Sequence, residues 1–217
     1  MKIHLISAFY RKHLVPTLIN YFESMGIEWY PVCDYNDIEV FKDNKRTWIH
    51  PILCPPLNLP GDQAFKKLND FIDQKIIIDE DYYCFCGDDD MYEQGFFEEI
   101  KKQTAKIIFV SIACGDTIPS TSPHNIHPMI IKTFDDVAVC RIGLPQYIIK
   151  GEILKQIRFK NEQPYDDGTF AVELKTRFPN DCIFLPDLFA FGNYFELGRY
   201  TNDNWKLKPQ WELPKII

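Results

Sequence analysis

No stretch of this 217-residue chain has the apolar length of a membrane span, and the first residues, Met1-Lys2-Ile3-His4-Leu5-Ile6-Ser7, fall short of a secretory leader. Both absences lead to the expectation of a soluble, cytoplasmic protein. Positive charge is scarce: 24 Lys and Arg stand against 31 Asp and Glu, giving a net charge of −7. That balance argues against nucleic acid as a partner, although a phosphate-bearing ligand remains open if a metal supplies the positive charge. A disulfide framework is missing too. The cysteines at 33, 54, 84, 86, 114, 140 and 182 are odd in number, and several lie in apolar runs, which fits a reducing compartment. Cys84-x-Cys86 has no second pair at a zinc spacing. Neither Gly-x-Gly-x-x-Gly nor a Walker lysine loop occurs, which argues against dinucleotide and P-loop sites. Histidine is absent after His127. No repeat, low-complexity tract or clear linker divides the chain.

What is present suits one α/β domain with a sizeable core. Aromatic residues reach 15%, either a Phe- and Tyr-rich core or stacking platforms for bases and sugars. Lys2 to Ala8 reads as a strand and His13 to Met25 as a helix with Leu14, Leu18, Phe22 and Met25 on one face, stopped by Gly26. Ile27 to Cys33 reads as a second strand, so the opening predicts a parallel crossover. A short strand is expected over Arg46 to His50. After the loop Pro55 to Gly61, Asp62 is placed to cap a helix over Gln63 to Gln74 with Phe65, Leu68 and Ile72 inward. Ile76-Ile77-Ile78 is strand or core turn. Lys106 to Ala113 reads as a strand buried on both faces. Gly115 to Pro128, with three prolines and two histidines, reads as a functional loop. Strands are expected over Met129 to Thr133 and Val137 to Ile142, a short helix over Gln146 to Gln156, a helix over Tyr165 to Phe178 and a last strand over Cys182 to Leu185. The tail from Asn202, with Trp205 and Trp211, is expected to wrap the surface.

The chain is organised around Tyr82-Tyr83-Cys84-Phe85-Cys86-Gly87-Asp88-Asp89-Asp90. An aromatic-rich apolar run reads as a buried strand, and it ends in a glycine and three carboxylates. Three adjacent negative charges repel one another. Either they cap the N-terminus of a helix read over Met91 to Gln103, or they hold a hard divalent cation through oxygen. The carboxyl end of an internal α/β strand, where ligands bind, favours the cation.

Strand, glycine and Asp88-Asp89-Asp90 resemble the Asp-X-Asp motif of nucleotide-sugar-dependent glycosyltransferases with the A-type fold. The order of elements over most of residues 1 to 190 is similar as well. The resemblance is close residue by residue only near the N-terminus, at the triplet and around Asp166-Asp167. It implies a single domain with a mostly parallel central sheet flanked by helices, the nucleotide-diphospho-sugar transferase fold. Its nucleotide-binding half would run over about 1–110, its acceptor half over about 111–200 and its tail over 201–217. The implied activity is metal-dependent transfer of a hexose-type sugar from a nucleotide-diphosphate sugar, UDP-linked, to a hydroxyl on a glycan or glycoconjugate.

The resemblance also distributes roles. Asp88 and Asp90 would hold Mn²⁺ or Mg²⁺, with Asp89 reaching the ribose or staying solvated. The first strand's end, Ala8, Phe9, Tyr10 and Arg11, would line the nucleotide, with Phe9 or Tyr10 on the base and Arg11 on a phosphate. Asp34 would meet the uracil or ribose, or merely cap its loop. In Lys66-Lys67-Leu68-Asn69-Asp70 a basic residue and an Asn would face the nucleotide, and Asn69 is the candidate, because Asn inside a helix needs a reason. Many family members add a later histidine ligand. Here a carboxylate, Asn193 or water would complete the shell, while His124 and His127 read as surface residues. Asp166-Asp167-Gly168 resembles the late acidic pair of inverting members. Asp166 is read as the general base and Asp167 as the helix cap, although two cap residues would explain both acids. Arg141, Gln146 and Lys150 are placed on the acceptor side. Two rivals stand beside this reading. A nucleotidyltransferase that makes sugar nucleotides would normally open with a Gly-rich basic loop, and a noncatalytic carbohydrate- or partner-binding protein would use the aromatics.

Overall fold

The computed structural model describes residues 1–54, 63–93, 95–115, 126–139, 141–160 and 166–192. Outside it lie the Pro55–Gly61 loop, the Asp62 cap, most of the 115–128 loop with His124, Tyr165, Asn193 and the tail. The described strands are β1 Ile3–Ala8, β2 Glu28–Cys33, β3 Ile52–Leu53, β4 Tyr82–Gly87, β5 Met91–Tyr92, β6 Ile107–Gly115, β7 Ile126–Met129, β8 Tyr147–Lys150 and β9 Cys182–Gly192. The helices are α1 Val15–Glu23, α2 Gln63–Gln74, α3 Phe96–Lys101, α4 Gly151–Leu154 and α5 Asp166–Arg177. They form one α/β domain whose mostly parallel sheet runs β3-β2-β1-β4-β8-β6-β9-β5.

Strands β1 to β4 are mutually parallel where they pair, and β6 pairs parallel with β9. Between these halves lies β8, antiparallel to both β4 and β6. Further along β6, β7 takes over β8's place at its side.

Two apolar layers cover the sheet because side chains alternate along each strand. Tyr83 and Phe85 face one layer, with Leu68 and Phe71 of α2, Ile153 and Leu154 of α4, and Phe170 and Leu174 of α5. Tyr82, Cys84 and Cys86 face the other, with Leu18 and Phe22 of α1 and Phe96, Phe97 and Ile100 of α3. Helix α1 carries a proline in its first turn, where no N–H is needed, and stops before Gly26, whose φ of +59° suits glycine. The five described cysteines at 33, 54, 84, 86 and 182 are free thiols. No described helix is long and apolar enough to cross a membrane.

Four sequence expectations are corrected. The third strand is Ile52–Leu53, after Pro51, whereas Arg46 to His50 contributes only a bridge from Ile49 to Trp29. Met91 and Tyr92 are a strand, and α3 starts at Phe96, so the Asp triplet caps no helix. The segments expected as strands over 129–133 and 137–142 are largely irregular, around a 3-10 turn at Phe134–Asp136 in which Asp136 accepts the N–H of Thr133. Finally, Tyr147-Ile148-Ile149-Lys150 is a central strand where a helix was expected. A four-residue apolar run carries no period that separates strand from helix.

Candidate active site

Register brings the ends of three strands together. Ala8 of β1 pairs with Gly87 of β4 on one side and Val32 of β2 on the other. The chain leaving β1 therefore passes directly over the carboxylates leaving β4. Asp88 Oδ2 accepts the backbone N–H groups of Tyr10 and Arg11, each at 2.6 Å, and Oδ1 accepts the Arg11 guanidinium. The other arm of that guanidinium stands 3.2 Å from Asp89 Oδ2. Asp90 folds back so that Oδ2 accepts the Gly87 N–H at 2.6 Å. All three acids are buried. Burial, with the Asp90 charge beside it, pushes the Asp89 carboxyl up to about 7, against the opposing pull of Arg11.

The other candidates divide. Phe9 is fully buried and packs edge-on against Phe41 at 5.2 Å, so it belongs to the core and not to a stacking platform. Tyr10 is 39% exposed and is the more open of the two rings. Asp34 Oδ1 accepts the N–H groups of Asn36 and Asp37, which is the loop-capping arrangement. Asn69 has its reason elsewhere. Its amide donates to the Phe159 carbonyl at 2.8 Å and accepts the Phe159 N–H at 3.1 Å, tying α2 to the segment before α5.

The residue missed by sequence reasoning is Lys67. It is 1% exposed, donates to the Phe9 carbonyl at 2.7 Å and lies 3.6 Å from the centre of the Tyr10 ring. Burial lowers its ammonium pKa, with the Asp34 charge opposing. The signal was there: Lys67 interrupts the apolar face of α2, between Ala64 and Phe71 at helical spacing.

The acid pair opens α5 at the same edge of the sheet. Phe170, one turn on, stacks on Phe159 at 4.1 Å and on Tyr147 at 5.5 Å, which fixes the helix over the end of β4 through Phe85. Asp166 is 1% exposed. Asp167 is only partly buried, and its Oδ1 accepts the N–H of the next residue, Gly168, at 2.7 Å. Its Oδ2 lies 3.8 Å from where a side chain at Gly143 would begin. Burial pushes the Asp167 carboxyl up to about 6, and Asp166 adds to the rise. The two acids, with burial first, also hold the Tyr147 phenol well up. The acceptor-side trio does not assemble. The Gln146 amide is buried and accepts the Gly143 N–H, Lys150 sits over the Tyr82 ring at the opposite edge of the sheet, and Arg141 is exposed.

Among the described residues no three His, Cys, Asp or Glu side chains gather to enclose a metal by themselves. Among the described residues the Arg11 guanidinium meets two of these buried acids, Asp88 and Asp89. Magnesium-type cations are commonly held by one or two carboxylates together with substrate phosphates, and Asp88 and Asp90 fit that donor set.

A mostly parallel α/β sheet of this order, flanked by helices, has the nucleotide-diphospho-sugar transferase fold. Neither a family model nor a curated protein matches the sequence. Among solved structures the fold is similar to S. aureus TarS 1-349 in complex with UDP-GlcNAc, with a TM-score of 0.56 and 16% identity over 93% of this chain. The S. aureus TarS structure gives a TM-score of 0.57 at 16% identity over 88% of this chain and 36% of that one. This chain spans 62% of TarS 1-349 in the UDP-GlcNAc complex. The inositol-1-phosphate CTP transferase from T. maritima overlaps at a TM-score of 0.49 and 7% identity, too loose a likeness to build on.

Proposed function

We propose that this protein is a metal-dependent glycosyltransferase that moves a hexose-type sugar from a UDP-linked donor to a hydroxyl on a glycan or glycoconjugate. The observation that carries the reading is the contact between the β1 turn and the triplet: the Tyr10 and Arg11 N–H groups and the Arg11 guanidinium on Asp88. It gathers anion-binding and cation-binding groups at the sheet edge where the fold takes ligands. That TarS has been captured with UDP and with UDP-GlcNAc supports the choice of donor.

In this reading Tyr10 stacks on the base, and Lys67 holds the turn beneath it. Asp34 offers the ribose or base the oxygen its own turn leaves over. Arg11 meets the diphosphate. Asp88 and Asp90 would hold Mn²⁺ or Mg²⁺, which would supply positive charge against the departing diphosphate. Asp167, not Asp166, takes the acceptor's proton, since it is the less buried of the two and its carboxyl is raised toward neutrality. The acceptor oxygen bonds to the anomeric carbon, the carbon–diphosphate bond breaks, and the proton ends on Asp167.

The test is calorimetric titration of UDP and GDP with and without Mn²⁺, followed by a hydrolysis screen over nucleotide sugars. Binding of one nucleotide and turnover of its sugar conjugate are expected. If neither nucleotide binds with Mn²⁺ present, the reading fails.

A further inference from the structure

Both oxygens of Asp88 are engaged before any ligand arrives. Two backbone N–H groups hold Oδ2, and the Arg11 guanidinium holds Oδ1. The same guanidinium reaches across to Asp89. Exposure within the cluster is uneven: the Asp88 side chain has none, that of Asp89 keeps 6%, and that of Arg11 keeps 25%. Arg11 is thus the member that faces solvent, with the acids beneath it. A magnesium-type cation would approach a carboxylate oxygen to about 2.0–2.1 Å. At that distance a doubly charged ion and a guanidinium repel each other on the same oxygen.

We propose that Arg11 is an internal counter-cation that keeps divalent metal off Asp88 until a nucleoside diphosphate draws it away. This rests on reading the site as one for nucleotide diphosphates. The planar fork of arginine pairs equally well with carboxylate and with phosphate oxygens, so the displaced side chain has a partner of the same geometry waiting. The backbone of residue 11 is pinned to Asp88 through its own N–H, independently of the guanidinium, so the turn keeps its anchor when the side chain moves. Metal and nucleotide then bind with positive coupling, and linkage makes that coupling reciprocal. The ligand oxygens of the nucleotide would strengthen metal binding in any site of this kind. What distinguishes the proposal is therefore the effect of Arg11 on metal alone.

The experiment is a Mn²⁺ titration read by electron paramagnetic resonance on the wild type and on Arg11→Gln, each with and without saturating UDP. The wild type is expected to bind Mn²⁺ about tenfold more tightly with UDP than without. Arg11→Gln is expected to bind Mn²⁺ alone about tenfold more tightly than the wild type and to gain less from UDP. Equal affinities of the two proteins for Mn²⁺ alone overturn the proposal, as does a wild type indifferent to UDP. If no Mn²⁺ binds in any arm, the proposal falls with the metal, while UDP titrated without metal still reports on the nucleotide site by itself. Should a thermal melt show Arg11→Gln unfolded, Arg11→Met takes its place. It too removes the charge, keeping an unbranched apolar stem, and it must also bind Mn²⁺ alone more tightly than the wild type.

Discussion

At Gly87 the side chains of the triplet leave no room for a Cβ. One added there would stand 2.8 Å from Asp89 Oδ1 and 3.3 Å from Asp90 Oδ2. The carboxylates would have to move, and the core beneath would not. Gly87→Ala should therefore weaken UDP binding in the presence of Mn²⁺ by about tenfold, roughly 1.4 kcal/mol, while the melting temperature changes little. Calorimetry beside a thermal melt checks both halves. A second test at this scale concerns Asp167. Replacing it by Asn should lower kcat on the order of a hundredfold with KM nearly unchanged, because a base acts mainly in the transition state. The base must be deprotonated, and its carboxyl is pushed up to about 6. In the wild type kcat/KM should accordingly rise with pH below about 6 and level off above it. A profile flat through pH 5 would remove Asp167 from the role.

The turn between β1 and α1 depends on a cation from α2. Lys67→Met keeps the apolar stem of the side chain but leaves the Phe9 carbonyl without its donor. The loss of a buried partner costs about 1–3 kcal/mol, offset in part because the variant no longer buries a charge. Urea unfolding should show a net loss, and the Tyr10 and Arg11 amides should exchange faster once the turn loosens. Unchanged exchange would mean that the turn stands without Lys67. Elements of this kind show how far the sequence could be read. Strands β1, β2 and β4 and helices α1, α2 and α5 carry long periodic or apolar runs, and each lies within a residue or two of its expected place. Strands β3, β5 and β8 are two to four residues long and exist because neighbours pair with them, which no local pattern announces. The site follows the same division. The positions of the triplet and the acid pair were legible, but Arg11 on Asp88 and Lys67 under Tyr10 are contacts across more than fifty positions of sequence.

For the molecule as a whole, the two edges of the sheet do different work. The edge opposite the site carries a row of rings across four neighbouring segments: Tyr83, His4, Tyr30 and His50, with adjacent centres 4.7, 5.5 and 4.8 Å apart. His4 is paired with Asp81 at 3.0 Å and is buried. Burial holds its pKa below the usual 6.5, although Asp81 pulls the other way. The folded state thus favours the neutral ring, while the unfolded chain takes up a proton at the ordinary value. The stability that His4 contributes is present above about pH 6.5 and falls as the pH drops below it. His4→Phe keeps the stack on Tyr83 and removes this term. Between pH 8 and 5.5 the wild type should lose more unfolding free energy in urea than the variant does. An equal loss in both would show that His4 titrates alike folded and unfolded.

The antiparallel strand β8 also sets a timetable. A chain made from its N-terminus completes β1, β2 and β4 early, and β1 pairs with both of the others. The outer side of β4 then stays an open hydrogen-bonding rim until Tyr147–Lys150 emerges, about sixty residues later. Over that interval β4, paired with β1 on one side, leaves its other side unpaired at Tyr82, Tyr83 and Cys84, the kind of edge on which chains aggregate. β6 is made before β8 and cannot fill the gap in its final register, since β8 lies between them. Vectorial synthesis thus places the greatest demand for chaperone cover on this protein between the appearance of its acidic triplet and the arrival of the strand that seals the middle of its sheet.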